Sequence, residues 1–168
     1  NQSFYSDSQP SAATSSAPKN WYVNDTSAAG DSYTYGLGSD TNAGDSPNLP
    51  VRTLIRAMAL AKQYDTIFVD AGLYDSYTVV NSTETAGIHI DTNDITIMGK
   101  DSNATVINPP GPNSQDGLYA LYADTQTGLL VKNLGFTGAG IGLYFINVDR
   151  SVVTGDSASS NSDGFRLE

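Results

Sequence analysis

Tyr119, Tyr144 and Arg166 are the residues whose types and spacing most suggest chemistry. Each is third in a short run: Gly117-Leu118-Tyr119-Ala120-Leu121, Gly142-Leu143-Tyr144-Phe145-Ile146 and Gly164-Phe165-Arg166-Leu167-Glu168, starting 25 and 22 residues apart. Strand alternation puts Leu118 and Ala120, Leu143 and Phe145, and Phe165 and Leu167 inside. Tyr119, Tyr144 and Arg166 then form an outward column with rungs about 4.8 Å apart. Two aromatic rings capped by a guanidinium make a sugar-stacking platform, and equally a cation–π ladder that only holds the stack together. Leu121 and Ile146 fall on the same outer face, so that face needs a cover, from the N-terminal arm or a neighbouring molecule.

Asp40, Asn42 and Asp45, beside Gly44, are spaced to wrap an oxygen-ligated Ca²⁺, with Asp25 or Asp31 as further ligands. The pattern lacks the terminal glutamate of an EF-hand, so it is a calcium loop of another kind or a set of solvated carboxylates. His89 is the one histidine. Flanked by Ile88 and Ile90 on a strand, it faces away from both, and alone it makes neither a transition-metal site nor a Ser–His–Asp triad. Late in the chain the cations are Lys132, Arg150 and Arg166, and the nearby acids are Asp149, Asp156 and Asp163.

These side chains need a frame that repeats. A second series, Leu129-Leu130-Val131-Lys132-Asn133 and Ser151-Val152-Val153-Thr154-Gly155, also recurs after 22 residues. Short strands with Gly, Asn, Asp and Ser at their corners and a period in the low twenties predict stacked parallel coils. Earlier strands are expected at Trp21 to Asn24, Thr66 to Val69, Tyr77 to Val80, Ile88 to Ile90, Ile95 to Met98 and Ala104 to Ile107. Asn108 to Asp116 reads as a protruding loop. One helix is expected, about 50–63: Val51, Leu54, Ile55, Met58 and Ala59 follow the helical period and Pro50 sits near its start. At 1.5 Å per residue it is about 20 Å long and suited to seal the N-terminal end of the stack. Residues 1–20 read as an arm, and 21–168 as one domain. The last coil has no cover, so its edge is expected to be open.

Composition narrows the functions. The net charge of −10 repels nucleic acid and anionic lipid, so neither is an expected partner, and no stretch is long enough for membrane insertion. The absence of cysteine removes disulfides, thiolate metal sites and cysteine nucleophiles together. The chain begins at Asn1 rather than methionine, as a processed protein or an excised piece does. Asn24, Asn81 and Asn103 head N-x-[ST] sequons, at a number that chance explains in a chain this rich in Asn, Ser and Thr.

Trp21-Tyr22-Val23-Asn24, the Asp/Gly loop after it, the helix from Pro50 to Gln63 and Asp65-Thr66-Ile67-Phe68-Val69-Asp70-Ala71-Gly72-Leu73-Tyr74 come in an order that resembles the opening of right-handed parallel β-helix proteins of the pectate-lyase-like superfamily. The decapeptide follows that family's D-T-I-x-V-x-x-G-x-Y pattern. The resemblance implies an all-β, right-handed parallel β-helix (a solenoid) with one N-terminal capping α-helix. It implies little about activity, since the superfamily spans lyases, hydrolases, epimerases, tailspikes, adhesins and non-catalytic repeats. Its lyases use Arg or Lys as base with Ca²⁺ on the uronate. Its epimerases use an Asp-Pro-His-Asp group that is missing here, and its hydrolases need paired carboxylates on adjacent coils.

The expectation is therefore a non-catalytic, structural or adhesive module of a cell-surface protein or self-assembling fibre, secreted or at the cell surface. It would self-associate through the open C-terminal coil and the N-terminal arm. The alternatives are the N-terminal part of a polysaccharide lyase- or epimerase-like enzyme, or a glycan-binding module using Tyr119, Tyr144 and Arg166.

Overall fold

Isoleucine, valine and threonine dominate the short segments between turns, and each segment has just enough residues for one rung of a sheet. The computed structural model describes residues 17–111 and 117–168. Most of the expected arm, and part of the loop from Asn108 to Asp116, lie outside the described residues.

The chain starts with β1 (Asn20–Val23), crosses a long loop and enters α1 (Leu54–Leu60). It then passes repeatedly through three sheets. The first circuit runs β2 (Thr66–Val69), β3 (Gly72–Tyr74), then β4 (Thr78–Val79) and β5 (Thr85–Ile90). The second runs β6 (Thr96–Gly99), β7 (Thr105–Ile107) and β8 (Leu118–Asp124), and the third β9 (Leu130–Lys132), β10 (Gly135–Thr137) and β11 (Ile141–Ile146). The last circuit is β12 (Val152–Thr154), β13 (Ser157–Ser159) and β14 (Asp163–Leu167). The sheets are ordered β1-β2-β6-β9-β12, β3-β7-β10-β13 and β4-β5-β8-β11-β14. Every pairing is parallel except β4 with β5, which is antiparallel. The protein is thus mostly β with parallel sheets, and the third sheet is mixed at one edge.

Side chains in register stack into columns. Trp21, Ile67, Ile97, Val131 and Val153 pair rung by rung in the first sheet. Tyr74, Ile107, Phe136 and Ala158 do so in the second, and Ile88, Leu121, Leu143 and Phe165 in the third. The buried members of all three columns belong to one core cluster. A single rung cannot hide its apolar side; its neighbours above and below hide it.

The corners repeat as faithfully as the strands. Tyr64, Asp94, Gly128 and Arg150 each lie two residues before the in-register positions Thr66, Thr96, Leu130 and Val152. All four have a positive φ, between 49° and 72°. A left-handed residue is what turns the chain into the next strand, and the non-glycine residues there are held by the stack. In the third sheet the pairing skips Gly87, Ala120, Gly142 and Gly164, and the chain bends there. A Cβ at Gly142 would come 2.6 Å from the Gly164 carbonyl, so the rungs approach too closely for a side chain. At this bend alternation breaks: Ala120 and its successor Leu121 are both buried in the core.

Two expectations are corrected here. The helix covers seven residues, not 50–63. Val51 forms a parallel bridge with Val23, and Asp40 Oδ1 accepts the N–H groups of Arg52 and Thr53 at 2.9 Å each, so this stretch is held extended. Thr53 then caps the helix, its hydroxyl accepting from the Arg56 N–H at 3.1 Å. Leu54 and Ala57 face the core, and α1 packs against β1 and β5 across the N-terminal end. Second, Leu121 is core rather than outer surface, because of the bend at Ala120.

Candidate functional site

The outer face of the third sheet carries the aromatic group expected from the sequence, in a different register. Tyr144 pairs with Arg166 as expected, but below it lies Tyr122, not Tyr119, and below Tyr122 lies His89. Tyr119 belongs to the next column, between Ala86 and Ile141. The repeat between β8 and β11 is 22 residues, as between β11 and β14; the spacing of 25 matches one Gly-x-Tyr run to another and slips the rung by three. Applying 22 backwards from Tyr144 finds Tyr122.

All three rings still meet. Tyr119 stacks on Tyr122 with centroids 5.1 Å apart and 16° between planes, and Tyr144 tilts against both at 5.2 and 5.9 Å. His89 lies 5.6 Å from Tyr122 at the other end, and the Arg166 guanidinium 5.6 Å from the Tyr144 ring. Tyr119 donates its hydroxyl to Glu84 (2.7 Å) and Tyr144 to Glu168 (2.9 Å). Burial raises the phenol pKa values of Tyr119, Tyr122 and Tyr144, and the nearby carboxylates add to this, so the hydroxyls stay neutral donors. The rings are 4%, 6% and 9% exposed. Their faces are turned to one another, whereas stacking a sugar requires a ring face open to solvent.

The cations expected near a lyase centre are spread out. Lys132 sits on the first sheet in register with Met98 and Thr154. Arg150 is at a left-handed corner and donates to the Thr127 hydroxyl, and Arg166 pairs with Asp163. His89 faces away from the buried Ile88 and Ile90 and lines a cavity of about 190 Å³ with Ile55, Met58 and Ala59 of α1; Asp91 is the one acid on that lining. A more polar cavity of about 310 Å³ is lined by Asp25, Asp40, Asp75 and Arg52, with Thr26, Thr53 and Ser76.

Most buried carboxylates here bind the protein's own main chain. Asp65 accepts from the Lys19 and Lys62 N–H groups and from Trp21 Nε1, at 2.7 to 2.9 Å. Burial pushes its pKa up, but these hydrogen bonds outweigh that and hold it below the usual carboxylate value. Fully buried Asp70 accepts four main-chain N–H groups, from Ser32, Tyr33, Thr34 and Ala71, and the Thr34 hydroxyl. Asp40 is likewise engaged with Arg52 and Thr53, and the Asn42 amide donates to the Pro50 carbonyl at 2.8 Å. Asp45 is exposed in the same loop. Among the described residues no group of three or more His, Asp or Glu side chains could hold a metal ion. Nothing in composition distinguishes these clamps from solvated acids; the position of Asp65 and Asp70 at either end of a buried strand was the available signal.

At the three corners of the last circuit, Ser151, Asp156 and Asn161 accept the N–H groups of Leu129, Leu134 and Ala139, each 22 residues earlier. Burial pushes the Asp156 carboxyl up to about 6, although the Leu134 and Thr154 N–H groups pull the other way. A folded pKa above the ordinary 3.8 means that stability from this group is full below about pH 4 and is lost as pH rises through about 6. Thermal melts from pH 4 to 7 should show that loss in the parent and a smaller one in Asp156→Asn. Equal slopes would rule it out.

Asn24 is fully buried and its amide nitrogen is hydrogen-bonded, so the folded chain offers no glycan acceptor there, whereas Asn81 and Asn103 are exposed. No helix among the described residues is long and apolar enough to cross a membrane. Compared with protein-family models, curated proteins and solved structures, the chain has no match.

Proposed function

We propose that this chain is a short right-handed parallel β-helix acting as a non-catalytic structural or adhesive module, secreted or at a cell surface, which docks through its C-terminal edge onto a second copy. The contrast between its two ends carries this reading. At the N-terminal end α1 lies against β1 and β5, and the antiparallel β4 covers the edge of β5. At the other end, among the described residues, β12, β13 and β14 each pair on one side only. There Phe165 is 47% and Leu167 69% exposed, beside Val152 and Val153, and Phe145, Val148, Val153 and Leu167 line an apolar depression of about 300 Å³. Unpaired strand edges bearing apolar side chains invite a further strand.

Light scattering across a dilution series tests this. Association should weaken with dilution, and Leu167→Lys should weaken it at least tenfold. Because Leu167 is exposed, the same change should alter monomer stability by no more than about 0.5 kcal/mol. A parent that stays monomeric at high concentration overturns the docking.

The polar cavity around Arg52, Asp25, Asp40 and Asp75 favours a second reading, a lyase-like carbohydrate-active enzyme. Its test is unsaturated product from uronate polymers, read at 235 nm with and without Ca²⁺. The first reading expects none. A glycan-binding role for Tyr119, Tyr144 and Arg166 would need the ring stack to open, and Tyr144→Ala would then reduce retention on polysaccharide.

A further inference from the structure

Near the end of β1, two side chains joined by a hydrogen bond each bury an oxygen that has no partner. Asn24 Oδ1 and Asp31 Oδ1 are both shielded from water and neither accepts a hydrogen bond. Asn24 itself is 0% exposed. Its Nδ2 donates to Asp31 Oδ2 at 2.7 Å and to the Gly36 carbonyl at 3.0 Å, and two acceptors on that side fix which end of the amide is oxygen. Since the amide N and O leave one carbon through bonds of ~1.33 and ~1.23 Å, Asn24 Oδ1 lies within roughly 5 Å of Asp31 Oδ2, the neighbour of the unpartnered oxygen. A buried acceptor left unmade is costly, so two of them on side chains joined by a hydrogen bond call for a positive partner.

The surroundings are acidic. Asp25 and Asp70 act electrostatically on Asp31, against one cation, Lys100, whose ammonium group is engaged with the Gly30 carbonyl. Three carboxylates against one ammonium leave the neighbourhood at a formal −2. Asp70 cannot supply the missing partner, since both of its oxygens accept from residues 32–34 and 71. Its hydrogen bonds do fold the loop that presents Asp31.

We propose that Asn24 Oδ1 and Asp31 Oδ1 are ligands of one hard divalent cation of the Ca²⁺ type. An amide oxygen and a carboxylate oxygen are the donors such an ion takes; main-chain carbonyls and water complete the six to eight oxygens it needs. The ion would sit at the junction of β1, the 31–36 loop and the turn after β2. It is separate from Asp40, Asn42 and Asp45, where Asp40 and Asn42 are already engaged.

The test uses the 168-residue chain, freed of metal with chelator and dialysed. Calorimetric titration with CaCl₂ should show one site per chain, and millimolar Ca²⁺ should raise the melting temperature by several degrees. Asp31→Asn keeps the shape and removes the charge; it should weaken binding at least tenfold, while Asp45→Asn leaves it unchanged. Lys100→Gln removes the opposing charge and should tighten binding several-fold at low salt, a readout that does not depend on the Asp31 variant folding. No binding by the parent, full affinity in Asp31→Asn, loss in Asp45→Asn, or no response to Lys100→Gln each overturns the proposal.

Discussion

Asp70→Ala is expected to abolish cooperative folding at 25 °C. The substitution strands four main-chain N–H groups and a threonine hydroxyl; the bonds from Thr34 and Ala71 are buried, and those from Ser32 and Tyr33 are partly buried. Each unmade buried hydrogen bond costs about 1–3 kcal/mol, and the total stability of a domain is about 5–15 kcal/mol. The loss therefore approaches the whole. Asp70→Asn keeps one acceptor oxygen but turns an amide N–H toward donors, so it should fold with a clearly lowered melting temperature. Circular dichroism melts of both variants decide it. A cooperative Asp70→Ala transition near the parent's temperature would mean the loop does not depend on this carboxylate.

Phe136→Ala should be the most costly hydrophobic truncation in the stack. Phe136 is among the largest fully buried side chains, in register with Ile107 below and Ala158 above. Removing a buried phenyl ring costs about 3–5 kcal/mol, and a domain of this size loses about 2–4 °C per kcal/mol, so a drop of roughly 10 °C is expected. Phe165, whose ring meets Phe136 edge-on at 6.2 Å, is half exposed on the last rung. Phe165→Ala should cost the monomer about 1 kcal/mol or less, and weaken association instead. Urea unfolding separates the two. Equal losses would show that the last rung is as much core as the third.

Periodicity in the sequence was enough to foretell parallel stacking of the late strands, because Leu143 over Phe165 and Val131 under Val153 repeat both residue type and spacing. It misled where two candidate frames coexisted. Tyr119 and Tyr122 are three residues apart and either can be matched to Tyr144; the 22-residue period picks Tyr122, and the double inward step at Ala120 and Leu121 is what shifts Tyr119 out of that column. The helix was recognisable from its apolar spacing, but its start was read too early: Val51 falls on the helical period yet is held extended by a strand distant in sequence, while Thr53, a preferred N-cap residue, was the available signal. Asn24 and Asp31 offer no such signal. Their seven-residue separation carries no recognisable motif, and only the fold of the loop between them brings the two side chains together.

If the chain docks as proposed, the cover that β4 and α1 give the edge of β5 bears on what an assembly can become. A contact that uses the β12–β13–β14 edge of both partners is face to face about a two-fold axis, and it uses up both edges. Growth through that contact then stops at a pair.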